Sequence, residues 1–276
     1  MSDVVKSYYD ENAEMEWERL VQDAYHRLEY IVTMYFLEKY LPEKGMILDA
    51  GGGPGRYTID LVKMDYDVVL FDLSPRSLEV ARREIKKAGL EGRVKKIVEG
   101  SITDLSEFGE GSFDAVLCLG PLSHLLEEDD RNKAITELIR VAKKDAPIFA
   151  SVISLYGVYR VVLKRLTDEL LNPSHEEMFT KGIHREDWHV DVSRRGFTDA
   201  KFFHPTEVRE LFEDQGTETL EMATCEGLSS QLVEETNNLY EDKKKWERWL
   251  EIVLRTCNDP HILGLGEHFL YIGRKI

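Results

Sequence analysis

The order of apolar and polar positions divides the chain into three stretches. In the first, Leu28, Ile31, Val32, Tyr35 and Phe36 recur at helical spacing, and Pro42 and Gly45 end the run, so residues 1 to 40 are predicted to be helical. From residue 46 short apolar runs alternate with amphipathic segments. MILDA (46–50), DVVLFD (67–72), VKKIVEG (94–100), FDAVLCL (113–119) and PIFASVI (147–153) read as strands. Between them, residues 57–64 read as helix. Ser74 and Pro75 form an N-cap and first-turn pair, and the helix they open carries Leu78, Ala81, Ile85 and Ala88 on one face before Gly89 stops it. Ile135, Leu138, Ile139 and Ala142 mark a further helix. Strands alternating with helices at this spacing predict an α/β fold with a doubly wound parallel sheet.

After residue 154 the alternation breaks. Residues 155–171 have helical spacing, whereas 172–203 are rich in His, Asp, Glu and Arg with little periodicity, as expected of an insertion too polar for core. Regular elements return with a helix near Pro205 and Thr206, a strand near Thr219 to Cys225, a helix carrying Trp246, Trp249, Leu250 and Val253, and a last strand in HFLYIGRKI. The expected organisation is an N-terminal helical cover (1–45), a main domain (46–154 with 204–276) and an inserted lid (155–203).

Composition narrows the classes of function. Of 276 residues, 42% are hydrophobic and 32% charged, which is the balance of a globular protein with a core. The net charge of -16 argues against nucleic acid and against an anionic membrane as partners. Cys118, Cys225 and Cys257 show no paired spacing, so reduced thiols are expected rather than disulfides or a zinc site. The polar N-terminus lacks an apolar leader and no run is long enough to span a bilayer, so the expected compartment is the cytoplasm.

The sharpest chemical signal is Asp49-Ala50-Gly51-Gly52-Gly53-Pro54-Gly55-Arg56, between a predicted strand and a predicted helix. Glycine permits positive φ in a tight turn and lets a ligand lie against the backbone. The dinucleotide fingerprint runs G-x-G-x-x-G, whereas here Gly51, Gly53 and Gly55 run G-x-G-x-G. Asp72, at the end of the second strand, can accept both hydroxyls of a ribose. It points to a nucleoside without choosing which.

DAGGGPGR resembles the first motif of the class I S-adenosylmethionine-dependent methyltransferases, and the resemblance continues in order. FDLSPRSLEVAR is similar to their second motif, with Asp72 matching the ribose-binding acid and Leu73 beside it. VEGSITDL is similar to the third, where Ser101 and Ile102 match positions that contact adenine. FDAVLCLGPLSHL is similar to the fourth, whose strand end, Leu119 and Gly120, faces the donor. The family often has Asp where this chain has Ser101, so adenine contact would rest more on backbone groups and on Leu73 and Ile102. The final strand resembles the family's seventh, antiparallel strand. The resemblance implies a seven-stranded, mostly parallel Rossmann-like methyltransferase fold, with S-adenosyl-L-methionine bound by Asp49, Ala50, Gly51, Gly52, Gly53, Gly55, Asp72, Leu73, Ser101, Ile102, Leu119 and Gly120.

Within the family the chain resembles the small-molecule branch that includes quinone-biosynthesis-type methyltransferases. SYYDENAEMEWERL is similar to the helix that covers the donor there, which implies Tyr9 and Arg19 near the donor and Tyr8 near the acceptor. His124 follows the fourth strand on the ligand side of the sheet and is the candidate general base. A loop histidine that only packs is the alternative. Trp188 and His189 are candidate walls of the acceptor pocket. His184 and His189, five apart, suit neither a strand face nor a helix face, and no metal is expected.

The function implied is methyl transfer to a small molecule, with the attacking atom (O, N, C or S) open and the protein a monomer or homodimer. A nicotinamide-dependent oxidoreductase and a non-catalytic S-adenosylmethionine sensor stay as alternatives. A nucleic-acid or protein methyltransferase is a third alternative; the acidic charge counts against RNA or DNA, and Leu119-Gly120-Pro121-Leu122 in place of an Asn-Pro-Pro-Tyr-like signature counts against base amines.

Overall fold

The computed structural model describes residues 3–186 and 197–276. Seven strands form one sheet: β1 (Met46–Ala50), β2 (Asp67–Asp72), β3 (Val94–Glu99), β4 (Ala115–Leu119), β5 (Pro147–Ile153), β8 (Thr217–Thr224) and β9 (His268–Lys275), in the order β3-β2-β1-β4-β5-β9-β8. The pairings from β3 through β5 are parallel, and β9 runs antiparallel to both β5 and β8. A dinucleotide-binding sheet has a 3-2-1-4-5-6 order, and the antiparallel β9 set between β5 and β8 departs from it. The chain reverses its strand order between β1 and β4, the crevice where open α/β sheets bind ligands.

Alternate residues of the buried strands feed two cores. On one face Leu48, Phe71, Val116 and Tyr271 pack with α5 (Glu128–Val141) and α8 (Pro205–Glu213) through Ile135, Leu138 and Phe212. On the other, Ile47, Val68, Leu117 and Phe149 pack with α2 (Arg27–Tyr40), α3 (Arg56–Lys63) and α10 (Lys243–Thr256) through Leu28, Phe36, Leu61 and Trp246. The helix opened by Ser74 is α4 (Pro75–Lys87), and the Ser74 hydroxyl accepts the Ser77 N–H.

The structure corrects three expectations. The described residues 3 to 40 are two helices, not one continuous helical stretch: α1 (Asp3–Arg19) and α2, parted by a turn in which Asp23 Oδ1 accepts the His26 N–H and Asn237 accepts the Tyr25 N–H. Among the described residues of 172–203, the segment is not too polar for a core. Met178 on α7 (Glu176–Lys181) and Ala200 and Phe202 beside the two-stranded pair β6 (Ile183–His184) and β7 (Ala200–Lys201) are buried against Val162 of α6 (Leu155–Arg165). A helix absent from the sequence expectation, α9 (Val233–Tyr240), buries only Thr236 and so carries little apolar signal. Trp188 and His189 lie outside the described residues. No helix among the described residues is long and apolar enough to cross a membrane.

Candidate functional site

The loop after β1 turns because Gly51, Gly53 and Gly55 all take left-handed φ, at +78°, +52° and +80°. Three hydrogen bonds stitch it to the end of β2: Gly51 and Gly52 donate to the Phe71 carbonyl at 2.6 and 3.3 Å, and Gly53 donates to Asp72 Oδ2 at 2.8 Å. The register explains the alignment, since Ala50 lies opposite Phe71 and the next residue on each strand is Gly51 and Asp72. The loop presses on the strand switch as well. A Cβ on Gly51 would lie 1.9 Å from Pro121 Cγ, whereas one on Gly53 would meet nothing within 4 Å. Gly53 therefore faces open space, as a backbone approached by a ligand must.

Asp72 accepts a second backbone bond from Ser74 at 2.8 Å. Burial pushes its carboxyl up to about 6, against the two N–H groups that favour the anion. Asp49 is buried below the loop. Its Oδ2 accepts the Thr58 hydroxyl at 2.6 Å, its Oδ1 has no partner, and burial pushes it up to about 6 also. A buried acid holding an unmet acceptor and a half-buried acid beside it suit a ligand that brings hydroxyl donors and positive charge. S-Adenosylmethionine has both, in its ribose and in its sulfonium and ammonium groups, so the residues present fit it.

The third motif starts where Gly100 donates to the Asp72 carbonyl at 2.9 Å. Ser101 Oγ pairs with Thr103 Oγ1 at 2.8 Å, and Ile102 is buried in the core. Leu119 ends β4, and Gly120, with φ at +114° and open space around it, donates to the Ser151 carbonyl and leads into a 3-10 turn, Pro121–His124.

The cover helix α1 lies over this end of the sheet. Asp10 Oδ1 accepts the Ser74 hydroxyl at 2.6 Å, Glu14 takes both Arg83 nitrogens at 2.6 Å, and Arg56 lies over the Trp17 ring and donates to the Trp17 carbonyl. Burial is the main cause that raises the Tyr9 phenol; Glu16 adds to it, Arg19 opposes it, and Tyr8 and Asp72 contribute less. The Tyr9 hydroxyl is 2.7 Å from His124 Nε2. His124 Nδ1 is 2.9 Å from the backbone oxygen of Asp199, just before β7. Burial is the main reason that the imidazole is pushed down to about 4. Tyr8 and Phe197 complete an aromatic group around this pair, with Tyr8 5.3 Å from Tyr9 and 5.7 Å from Phe197, centroid to centroid.

The structure thus brings together Asp49, the glycine loop, Asp72, Gly120, Tyr8, Tyr9 and His124 at the switch point. Arg19, expected near the donor, acts through its charge on Tyr8 and Tyr9 and is ion-paired as well. It donates to Glu16 at 3.0 Å and to both oxygens of Glu29 on α2. Behind that pair lies a buried network that no sequence spacing marks. His268 Nδ1 is 2.8 Å from Glu226 and 3.6 Å from Glu29, and Tyr25 donates to Glu267. Glu29, Glu226 and His268 could together ligate a metal ion. The Arg19 guanidinium already supplies a cation to this cluster. His268 supplies another: burial opposes its charge, but Glu29 and Glu226 push it up to about 9. Asp10, Asp199 and Phe197 were also missed by sequence reasoning. A polar residue one step beyond Tyr9 in the cover helix was the available signal for Asp10.

Comparison with known proteins agrees with the geometry. A family model described as a methyltransferase domain matches residues 47–145. The chain is 29% identical over 147 residues to a glycine/sarcosine N-methyltransferase of Aphanothece halophytica, covering 52% of this chain and 53% of that protein. It is 28% identical over 123 residues to a ubiquinone biosynthesis O-methyltransferase of Xanthomonas axonopodis pv. citri, covering 45% and 50%. The chain therefore spans about half the length of these curated relatives. In fold it is similar to an S-adenosylmethionine-dependent methyltransferase of Methanosarcina mazei, with a TM-score of 0.60 and 21% identity over 87% of this chain and 97% of that one. The domain match, the strand order and the glycine loop coupled to Asp72 agree on a methyltransferase domain over residues 47–145, in a chain whose fold is similar to that of S-adenosylmethionine-dependent methyltransferases.

Proposed function

We propose that the protein transfers the methyl group of S-adenosylmethionine to a small-molecule acceptor. The observation that carries this is the loop-to-acid coupling: Gly53, with open space in front of it, is held by the same carboxylate that can accept ribose hydroxyls. The donor supplies an electrophilic methyl on a sulfonium whose leaving group is a neutral thioether. Alignment and exclusion of water are the main tasks left to the protein.

In this reading Gly51, Gly52, Gly53 and Gly55 let the backbone approach the donor, with Asp49 and Ala50 at their base. Asp72 holds the ribose, Leu73, Ser101 and Ile102 bound the adenine, and Leu119 and Gly120 face the sulfonium side. Residues 1–45 are the cover, 46–154 with 204–276 the main domain, and 155–203 the lid. Tyr8, Tyr9 and His124 line the acceptor side, with Trp188 and His189 as further wall candidates. Arg19 is read as near the donor, held there by Glu29 at the end of the cover helix. The acidic charge favours no nucleic-acid partner, and three buried free thiols suit the cytoplasm. The protein is read as a monomer or homodimer.

One relative is named for N-methylation and another for O-methylation, so the test offers both kinds of nucleophile. The protein is incubated with methyl-labelled S-adenosylmethionine and with glycine, sarcosine or a catechol. Label transfer to one of them that is lost in Asp72→Ala supports the function. Transfer that survives intact in a folded Asp72→Ala contradicts the donor site.

A further inference from the structure

The hydrogen bonds around His124 have a direction. The Asp199 backbone oxygen can only accept, so the bond at 2.9 Å places a proton on His124 Nδ1. A neutral imidazole then has its lone pair on Nε2, and the Tyr9 hydroxyl at 2.7 Å must donate to it. Both ring nitrogens are thus engaged, and His124 has no lone pair left for an acceptor. The Tyr9 oxygen does. It belongs to the cover helix, one residue from Asp10, which is bonded to Ser74 beside Asp72. Tyr9 therefore stands between the ribose-binding end of the donor site and the turn that follows β4.

We propose that Tyr9 is the catalytic group that receives the acceptor's proton, and that His124 is the positioning residue that takes the Tyr9 proton in turn. The proposal rests on the methyltransferase reading and deepens it. For an acceptor with a proton on its attacking atom, that bond breaks and the proton joins Tyr9 Oη. The phenolic proton moves to His124 Nε2. The freed electron pair of the acceptor forms the bond to methyl carbon, and the carbon–sulfur pair stays on sulfur. The positive charge lost at the sulfonium reappears as an imidazolium whose Nδ1–H is held by the Asp199 carbonyl. Before transfer the imidazole must be neutral to accept, and its burial among Tyr9, Phe197 and the core favours that form; the same burial opposes the imidazolium formed on transfer, which the hydrogen bond to Asp199 and the Asp199 charge offset in part.

The relay is tested without knowing the acceptor. Histidines are labelled with nitrogen-15, and His124 is assigned by its loss in His124→Gln. Its tautomer is read in the free protein and with S-adenosylhomocysteine, from about pH 6 to about pH 9. The proposal expects a neutral ring protonated at Nδ1 throughout, with an Nε2 resonance that shifts in Tyr9→Phe. A ring protonated at Nε2, or an Nε2 signal indifferent to Tyr9→Phe, overturns it.

A second measurement uses sinefungin, which carries an amine where the donor carries its methyl. Tyr9→Phe should lose about tenfold in affinity for sinefungin while S-adenosylhomocysteine stays within about threefold, the loss of one charge-assisted hydrogen bond. Equal losses for both ligands overturn the placement of Tyr9 on the acceptor side. If the wild-type protein bound neither ligand, the methyltransferase reading would fail, while the tautomer in the free protein would still decide the direction of the hydrogen bonds.

Discussion

Gly53 donates its backbone N–H to the Asp72 carboxylate at 2.8 Å, which joins the glycine loop after β1 and the acid at the end of β2 into one unit. The two are nineteen residues apart in sequence and adjacent only because β1 and β2 pair in parallel with Ala50 opposite Phe71. Substitutions on either side of that bond should therefore report on the same site in different ways.

The glycines separate fold from ligand. Gly51→Ala meets Pro121 at once and strains a φ of +78°, so it should cost about 3 kcal/mol of stability. Gly53→Ala, with open space around it, should cost about 1 kcal/mol, the penalty of a left-handed alanine. Its effect on affinity for S-adenosylhomocysteine should be larger, about tenfold or more. Thermal melts and calorimetry on both variants check this. A Gly53→Ala protein with full affinity would contradict the close backbone approach.

Donor binding should depend on pH through Asp72. Burial raises its carboxyl to about 6, so below that pH the group is neutral and donates a proton where it should accept two. Affinity for S-adenosylhomocysteine should fall as pH drops through about 6 and level off above it. Asp72→Asn should be weak and flat over the same range. Calorimetry at a series of pH values tests both curves.

Arg19 should matter to stability more than to the donor. Its partner Glu29 is buried, which raises the carboxyl, but the Arg19 charge and hydrogen bond together with His268 outweigh burial and hold Glu29 down at about 2. A lowered acid contributes stability above its unfolded value of about 4.3, and that contribution is lost as pH falls through the folded value. Arg19→Met leaves the carboxylate buried without its closest cation, a change that costs about 3 kcal/mol near neutral pH. Denaturant titration should show that loss, with S-adenosylhomocysteine affinity within about threefold of wild type. A stable variant with poor affinity would put Arg19 on the donor instead.

His268 adds a pH dependence of the opposite kind. Burial opposes its charge, yet Glu29 and then Glu226 raise it to about 9, so it binds its proton more tightly folded than unfolded. Its contribution is complete below the unfolded value of about 6.5 and fades as pH rises through about 9. The ring is about a quarter exposed, and solvent screening trims the contribution to about 2 kcal/mol. The melting temperature of wild type should fall between about pH 7 and pH 9 more steeply than that of His268→Gln. Parallel curves would sink the assignment.

The sheet could be read from the sequence because four of its parallel strands are buried on both faces. MILDA, DVVLFD, AVLCL and PIFASVI are nearly unbroken apolar runs for that reason. β3 keeps Lys95 and Lys96 exposed because it is an edge strand, and it was found through its position in the alternation rather than its pattern. The break between α1 and α2 was hidden because Leu20 and Ala24 in the turn are as buried as helix residues, so apolar spacing runs straight through it. The donor loop was visible because its chemistry sits in eight consecutive residues. The Tyr9–His124 bond spans 115 positions and the Glu226–His268 pair 42, and no local pattern encodes contacts that only the tertiary fold creates.

The central claim is that the crevice beside β1 binds the nucleoside of a methyl donor. Isothermal titration of the purified protein with S-adenosylhomocysteine, and separately with NADH, tests it most directly. Saturable binding of S-adenosylhomocysteine at one site per chain, lost in Asp72→Ala, with no heat from NADH, is the predicted result. Saturable binding of NADH with none of S-adenosylhomocysteine would contradict the account.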